Sequence, residues 1–279
     1  PTEDGQQKKI LEAMNYSVLA GGKRLRPLMM YETYQMFGGK EDVIHLFMAA
    51  IEMIHTYSLV HDDLPAMDND EYRRGKKTTW AQYGEAVAVL AGDALLNYAF
   101  ETALTAFSCE GADAARVARA LSILAKKAGI YGMIGGQDAD IAAERAGDAL
   151  ELSQLLYIHE HKTAALIQAS MMIGAVLAGA CDEAVDIIEQ AAYEIGIAFQ
   201  IQDDILDVTS TFEELGKPIG SDEKNNKTTY VTLKGIDEAS REQKELSAHA
   251  ISRLEALGQK GFQNKFLTDL VKSLITRLK

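Results

Sequence analysis

Two acidic clusters stand far apart in the chain, each at the end of an apolar stretch. One is His61-Asp62-Asp63-Leu64-Pro65-Ala66-Met67-Asp68-Asn69-Asp70, the other Gln202-Asp203-Asp204-Ile205-Leu206-Asp207. Adjacent carboxylates repel, and burying them costs on the order of several kcal/mol each unless a cation neutralises them. Neither run holds a lysine or arginine. Packing does not account for two such clusters, whereas a hard divalent cation such as Mg²⁺, shared between both, does. The plainer reading is two solvated acidic helix ends in an acidic protein. That reading weakens because both clusters follow long apolar helices.

Carboxylates that hold metal would suit a phosphorylated substrate, which also needs cationic side chains. Gly21-Gly22-Lys23-Arg24-Leu25-Arg26-Pro27 places three cations on a glycine-led loop ahead of a helix, a layout suited to phosphate. Arg73-Arg74-Gly75 follows the first acidic cluster, Lys162-Thr163 interrupts an apolar helix, and Lys217 and Lys227 flank the loop after the second cluster. Each pair alone reads equally well as surface charge. Together they supply cations for two diphosphates.

These residues need elements to position them, and helical periodicity dominates. Residues 42–61 form one predicted helix, with Leu46, Phe47, Ala50, Ile51, Ile54 and Tyr57 at spacings of three and four. Residues 85–107 are apolar on nearly every side, the pattern of a central buried helix. Further helices are expected over 6–19, 25–37, 113–128, 150–178, 183–208, 238–256 and 263–278. Gly21-Gly22, Gly38-Gly39, Gly135-Gly136 and Gly216 to Gly220 read as loops or caps between them. The one β-like window, Thr228 to Leu233, is too isolated to build a sheet. The expectation is a single all-α domain over residues 1–279.

In the second acidic cluster, Gln200, Asp203 or Asp204, and Asp207 share one stripe of a helix that is otherwise apolar, so the stripe faces water or a lined cavity. In the first, Asp62 and Asp68 would lie about 120° apart on a continuous helix. Pro65 forbids that continuation, so the helix breaks near Leu64 and a turn returns Asp68 towards Asp62.

Composition narrows the setting. A formal charge of -13, from 41 acidic and 28 basic residues, argues against general binding of nucleic acid or anionic membrane. Cys109 and Cys181, the only cysteines, lie in Ala-rich context and suggest no disulfide framework, which fits a reducing, cytosolic compartment. No run reaches the length of a membrane span, and no basic-then-apolar signal segment opens the chain. The chain begins at Pro1 rather than methionine, consistent with a missing first helix.

Taken in order, these motifs resemble the trans-prenyl diphosphate synthases. The match runs through residues 21–27, His61 to Asp68 with Arg73-Arg74, Gly135-Gly136-Gln137 with Asp140, and Lys162-Thr163. It continues through Phe199 to Asp207, the loop from Gly216 to Asp222, and Asn226-Lys227-Thr228, about three-quarters of the chain. The resemblance implies an α-helical bundle around a deep cavity, a homodimer, and several Mg²⁺ ions gripping an allylic diphosphate. It implies Asp62, Asp68 and Asp203 as direct metal ligands, with Asp63, Asp204 and Asp207 as additional or water-mediated ones. Arg73, Lys162, Lys217 and Lys227 would hold the allylic diphosphate; Lys23, Arg26, His55 and Arg74 would hold isopentenyl diphosphate. His55 otherwise reads as an ordinary core histidine. Thr163 and Gln200 would offer oxygen dipoles to a carbocation. Lys77 and Trp80, where relatives often carry Pro and His, and Val231, where Pro is common, depart from the pattern without removing a metal or phosphate group.

Product length would be set just upstream of Asp62, by Tyr57 and Ser58. A bulky ring there, with the two extra residues inside the first Asp motif, is similar to bacterial farnesyl diphosphate synthases. The implied reaction joins isopentenyl diphosphate to dimethylallyl and geranyl diphosphate. A geranylgeranyl product is the nearest rival, and a non-catalytic subunit of a heteromeric synthase is the rival from another class. The latter would be expected to have lost one acidic motif. A terpene cyclase would not need the Lys23, Arg26 and Arg74 site. A di-iron bundle needs two Glu-x-x-His pairs, and only Glu52-Met53-Ile54-His55 fits.

Overall fold

Helices form almost wherever the sequence shows helical periodicity. The computed structural model of the protein describes residues 5–146, 150–209 and 228–275. Its helices are α1 (Lys8–Val18), α2 (Leu25–Met36), α3 (Val43–Asp62), α4 (Thr79–Tyr83), α5 (Glu85–Leu104), α6 (Ala114–Ala128) and α7 (Met133–Ala146). They continue with α8 (Leu152–Ile158), α9 (Ala165–Ala178), α10 (Asp182–Thr209), α11 (Tyr230–Lys234), α12 (Ile236–Gln259) and α13 (Lys265–Ile275). A π-helical turn, His159–Ala164, joins α8 to α9. The strands described are a hairpin, β1 (Tyr72–Arg73) against β2 (Lys76–Lys77), paired antiparallel. The fold is all-α, as expected.

By their contacts the residues group into two units, 1–31 with 41–121, and 32–40 with 122–279. In the first unit α3 and α5 pack along each other, with α1 and α4 against α5. Phe47, Ile51 and Ile54 of α3 and Leu95 of α5 are fully buried. Each such aliphatic or aromatic side chain contributes about 1.5–3 kcal/mol by leaving water. Pro65 ends α3 as anticipated, with Asp62 its last residue. In the second unit α10 packs against α9, the π-turn, α12 and α13. Every residue of α9 from Ala165 to Leu177 is buried, so its apolar sequence is satisfied on all sides. A Schellman cap ends it: Gly179 takes a left-handed conformation, and Ala180 N–H reaches the Ala175 carbonyl at 3.0 Å.

Five expectations change. Gly135-Gly136 lie inside α7 rather than in a loop. The window Thr228 to Leu233 is a helical turn, because Thr229 and Thr232 close a reciprocal capping box that opens α11. Cys109 and Cys181 flank helices instead of lying within them. The apolar 85–107 stretch is buried on one side only, leaving Val89, Leu90, Leu104 and Phe107 exposed. Contrary to the reading that no run reaches the length of a membrane span, α3 and residues 85–108 are each long and apolar enough, by length and composition alone, to cross a bilayer. In α3 that apolarity serves the core.

Candidate active site

The break after α3 assembles the first acidic cluster. Asp68 N–H donates to the Asp62 carbonyl at 2.8 Å, which folds the loop back onto the helix end as the sequence required. Asp62 and Asp63 are buried, and Asp63 Oδ1 accepts from Arg73 Nε at 2.6 Å. Arg73 comes from β1, and Arg74-Gly75 make the turn with positive φ of 54° and 75°. The hairpin is braced by two donors on one acceptor: the Thr78 hydroxyl at 2.7 Å and Trp80 Nε1 at 2.9 Å both bond the Asp70 carbonyl. Trp80 therefore has a structural task.

A basic pocket opens beside this cluster, lined by Glu52, His55, Asp63, Arg73, Arg74 and Lys77 among others. Gly21 and Gly22, with φ of 98° and 117°, carry the loop towards it, and Arg74 Nη1 donates to the Gly21 carbonyl at 2.5 Å. Lys23 is exposed on that loop. Arg24 pairs with Glu52, which explains why Glu52 supports no metal site. Arg26 has a buried Nε with no hydrogen-bond partner, and burial lowers its pKa to about 10 against the pull of Glu52. Burial, then the charges of Arg26, Arg74, Arg73 and Arg24, hold His55 well below its usual pKa. Arg73, Arg74 and Lys77 line this pocket beside Glu52 and Asp63, three cations that could meet an anion there.

Tyr57 is buried one turn below Asp62. Its hydroxyl has no hydrogen-bond partner, and its ring meets His61 edge-on at 5.8 Å. Burial, then the Asp62 charge, push it up to about 12. The Ser58 hydroxyl donates back to the His55 carbonyl at 2.9 Å.

In the second unit, the polar stripe of α10 lines a pocket of about 220 Å³. Gln200, Asp203, Asp204 and Asp207 line it, with Asp140 of α7, His159, Lys162 and Thr163 of the π-turn, and Thr228 and Thr229 before α11. Lys162 Nζ donates to Asp140 Oδ2 at 2.6 Å, and the Thr163 hydroxyl donates to Gln200 Oε1 at 2.9 Å. Asp204 Oδ2 accepts the Tyr230 N–H at 2.7 Å and lies 3.9 Å from His159 Nε2. His159 was not anticipated; its signal was the polar run His159-Glu160-His161-Lys162 inside an apolar helix. Lys217 and Lys227 lie outside the described residues. A roomier groove of about 580 Å³ between α7 and α8 is lined by Ala139, Ala142, Ala143, Tyr157 and other uncharged residues, and offers no reacting group.

The residues fit a hard cation. Their donors are carboxylate and amide oxygens, the set that Mg²⁺ prefers. Asp63 is pushed up to about 6, first by burial and further by Asp70 and Asp68, while Arg73 opposes the shift. Burial of the carboxylate is the main cause, a cost that a bound cation would offset. Among the described residues no three His, Cys, Asp or Glu side chains already converge as a metal cage.

Aspartate-rich helix ends, an anion pocket and a cation-holding pocket on an all-helical scaffold define an enzyme of diphosphate chemistry. A family model described as polyprenyl synthetase matches residues 7–261, and the chain belongs to that family. It is 49% identical over 226 residues to the farnesyl diphosphate synthase of Geobacillus stearothermophilus, covering 81% of this chain and 75% of that one. It is 47% identical over 246 residues to a chloroplastic geranylgeranyl pyrophosphate synthase of Catharanthus roseus, covering 88% and 68%. Among solved structures, a geranyltransferase from Helicobacter pylori complexed with magnesium and isoprenyl diphosphate aligns with a TM-score of 0.84 at 35% identity, over 99% of this chain and 89% of that one.

Proposed function

We propose that the protein condenses isopentenyl diphosphate with dimethylallyl and then geranyl diphosphate, giving farnesyl diphosphate and pyrophosphate. The observation that carries this reading is the second-unit pocket, where four carboxylates, a lysine and the Thr163–Gln200 pair meet. Magnesium ions held by Asp62, Asp68 and Asp203, with help from Asp63, Asp204 and Asp207, would supply positive charge to the departing diphosphate. By motif, Lys162, Arg73, Lys217 and Lys227 are all assigned to that leaving group, to which they would add protein cations. The allylic C–O bond breaks, and its electron pair leaves with pyrophosphate. Because the Thr163 hydroxyl spends its proton on Gln200, its lone pairs can face the allylic cation without acting as a strong nucleophile. The double bond of isopentenyl diphosphate, anchored by Lys23, Arg26, His55 and Arg74, forms the new C–C bond. A proton is then lost to the released pyrophosphate, so no protein base is required.

Tyr57 supports the fifteen-carbon reading: a buried, bulky ring one turn below Asp62 would stop the growing chain. The exposed apolar face of α5 supports a homodimer, since a helix apolar on both sides is satisfied only when a second copy covers the bare one. Free thiols at Cys109 and Cys181 support a reducing, cytosolic setting.

Incubation with Mg²⁺, isopentenyl diphosphate and dimethylallyl diphosphate, with products sized by mass spectrometry, tests the proposal. A fifteen-carbon product that lengthens on Tyr57→Ala is expected. A twenty-carbon wild-type product keeps the enzyme class and removes the Tyr57 assignment. No product at all points to a non-catalytic subunit.

A further inference from the structure

The π-turn that carries Lys162 and Thr163 is clasped from two directions by a repeated arrangement. On α7, a β-carbon built at Gly136 would overlap the Lys162 amide nitrogen, and one helical turn later Asp140 receives the Lys162 ammonium at 2.6 Å. On α10, a β-carbon at Gly196 would overlap the Ala164 β-carbon, and one turn later Gln200 receives the Thr163 hydroxyl at 2.9 Å. In both helices the spacing is four residues, so glycine and acceptor lie on one face. Gly136 and Gly196 are both buried. Glycine inside a helix is less stable than alanine, yet α7 and α10 each keep one where the π-turn's atoms press closest. A π-turn inserts a residue into the α-helical register and so rotates the side chains that follow it; such turns recur at functional sites.

We propose that Gly136 and Gly196 are positioning residues, which seat the π-turn so that Lys162 and Thr163 meet the allylic diphosphate and its cation. This rests on the reading of those two side chains given above. Each glycine lets the turn approach closely enough for the acceptor one turn further on to hold the side chain. A methyl group at either position pushes the turn out by a fraction of an ångström or more. On the Thr163 side such a displacement lowers catalysis more than ligand affinity, whereas on the Lys162 side it withdraws a cation from the diphosphate and lowers affinity as well.

The test compares the wild type with Gly196→Ala, Ala164→Gly, the double variant and Gly136→Ala, each checked by circular dichroism and thermal melting. For Gly196→Ala, kcat is expected to fall on the order of 100-fold with KM for isopentenyl diphosphate little changed. Ala164→Gly in the same chain removes the nearer of the two overlapping atoms, leaving the Cα of residue 164 at 2.6 Å, and is expected to restore part of kcat, which a merely structural defect would not allow. A Gly196→Ala enzyme within about threefold of wild-type kcat, or a loss that Ala164→Gly does not lessen at all, overturns the proposal. A binding arm works without turnover. Calorimetry with inorganic pyrophosphate and Mg²⁺ is expected to show Gly136→Ala weakening binding about as much as Lys162→Ala does. Unchanged binding in Gly136→Ala with weakened binding in Lys162→Ala overturns the clasp on the Lys162 side. If the wild type makes no product, the functional reading falls while the binding arm still decides the clasp.

Discussion

Single side chains carry two measurable consequences. His55 is held neutral by burial and by the four arginines that face it, Arg26, Arg74, Arg73 and Arg24. The unfolded chain takes up a proton there below about pH 6.5, and the folded chain does not. Its contribution to stability is therefore complete above that pH and shrinks as pH falls through it, by about 1 kcal/mol between pH 7 and 5.5. Thermal melts of the wild type and His55→Gln should show a steeper acid-side decline in the wild type. Bound pyrophosphate should raise the His55 pKa, visible in its imidazole NMR shifts. Thr163 makes the second case. Replacement by valine keeps its shape but removes the oxygen, so kcat should fall by about ten- to a hundredfold while KM for the allylic diphosphate changes little. A larger rise in KM than fall in kcat would assign Thr163 to binding.

At the scale of elements, several candidate site groups sit where helices are interrupted, while Asp140 and the α10 stripe lie within helices. α3 stops at Asp62 because Pro65 cannot continue it, and the loop that follows is pinned by the Asp68 to Asp62 backbone bond. α11 starts at the capping box of Thr229 and Thr232, and its first N–H, on Tyr230, holds Asp204. Thr229→Ala should cost about 1 kcal/mol in chemical denaturation and loosen Asp204, whereas Thr229→Ser should retain both. The hairpin depends on Trp80 Nε1 at the Asp70 carbonyl. Trp80→Phe removes that donor with little change in bulk, and should raise the Mg²⁺ concentration needed for half-maximal rate with the fold intact. These interruptions place functional groups at helix ends and turns, where backbone geometry can be set for ligands.

For the molecule as a whole, relatedness reaches most of the chain, yet the proposed control of product length rests on few residues, Tyr57 foremost. Homologues carrying both farnesyl and geranylgeranyl names are nearly equal in identity. The exposed side of α5 is the other open matter at this scale. Leu90→Glu with Leu104→Glu, both on that face, should convert a dimer to a monomer in sedimentation, with the helical circular dichroism spectrum retained. A wild-type monomer would remove the homodimer, and vesicle association lost in the variant would assign the face to lipid instead.

Much of this was legible in the chain itself. Helix positions, the break at Pro65, the polar stripe of α10 and the acidic and basic motifs are local patterns, written in spacing over a turn or two. The sequence alone therefore determined the fold class and the chemistry. What it left out are relations between segments remote along the chain. Lys162 finds Asp140 across 22 residues and Thr163 finds Gln200 across 37. The π-turn exists where two glycine-bearing helices press upon it, so Gly135-Gly136 read as a loop and proved to be helix interior. α5, apolar all round, looked central, but one face is bare because sidedness depends on which helices pack against it. Periodicity records that a residue is apolar; only the tertiary structure decides what covers it.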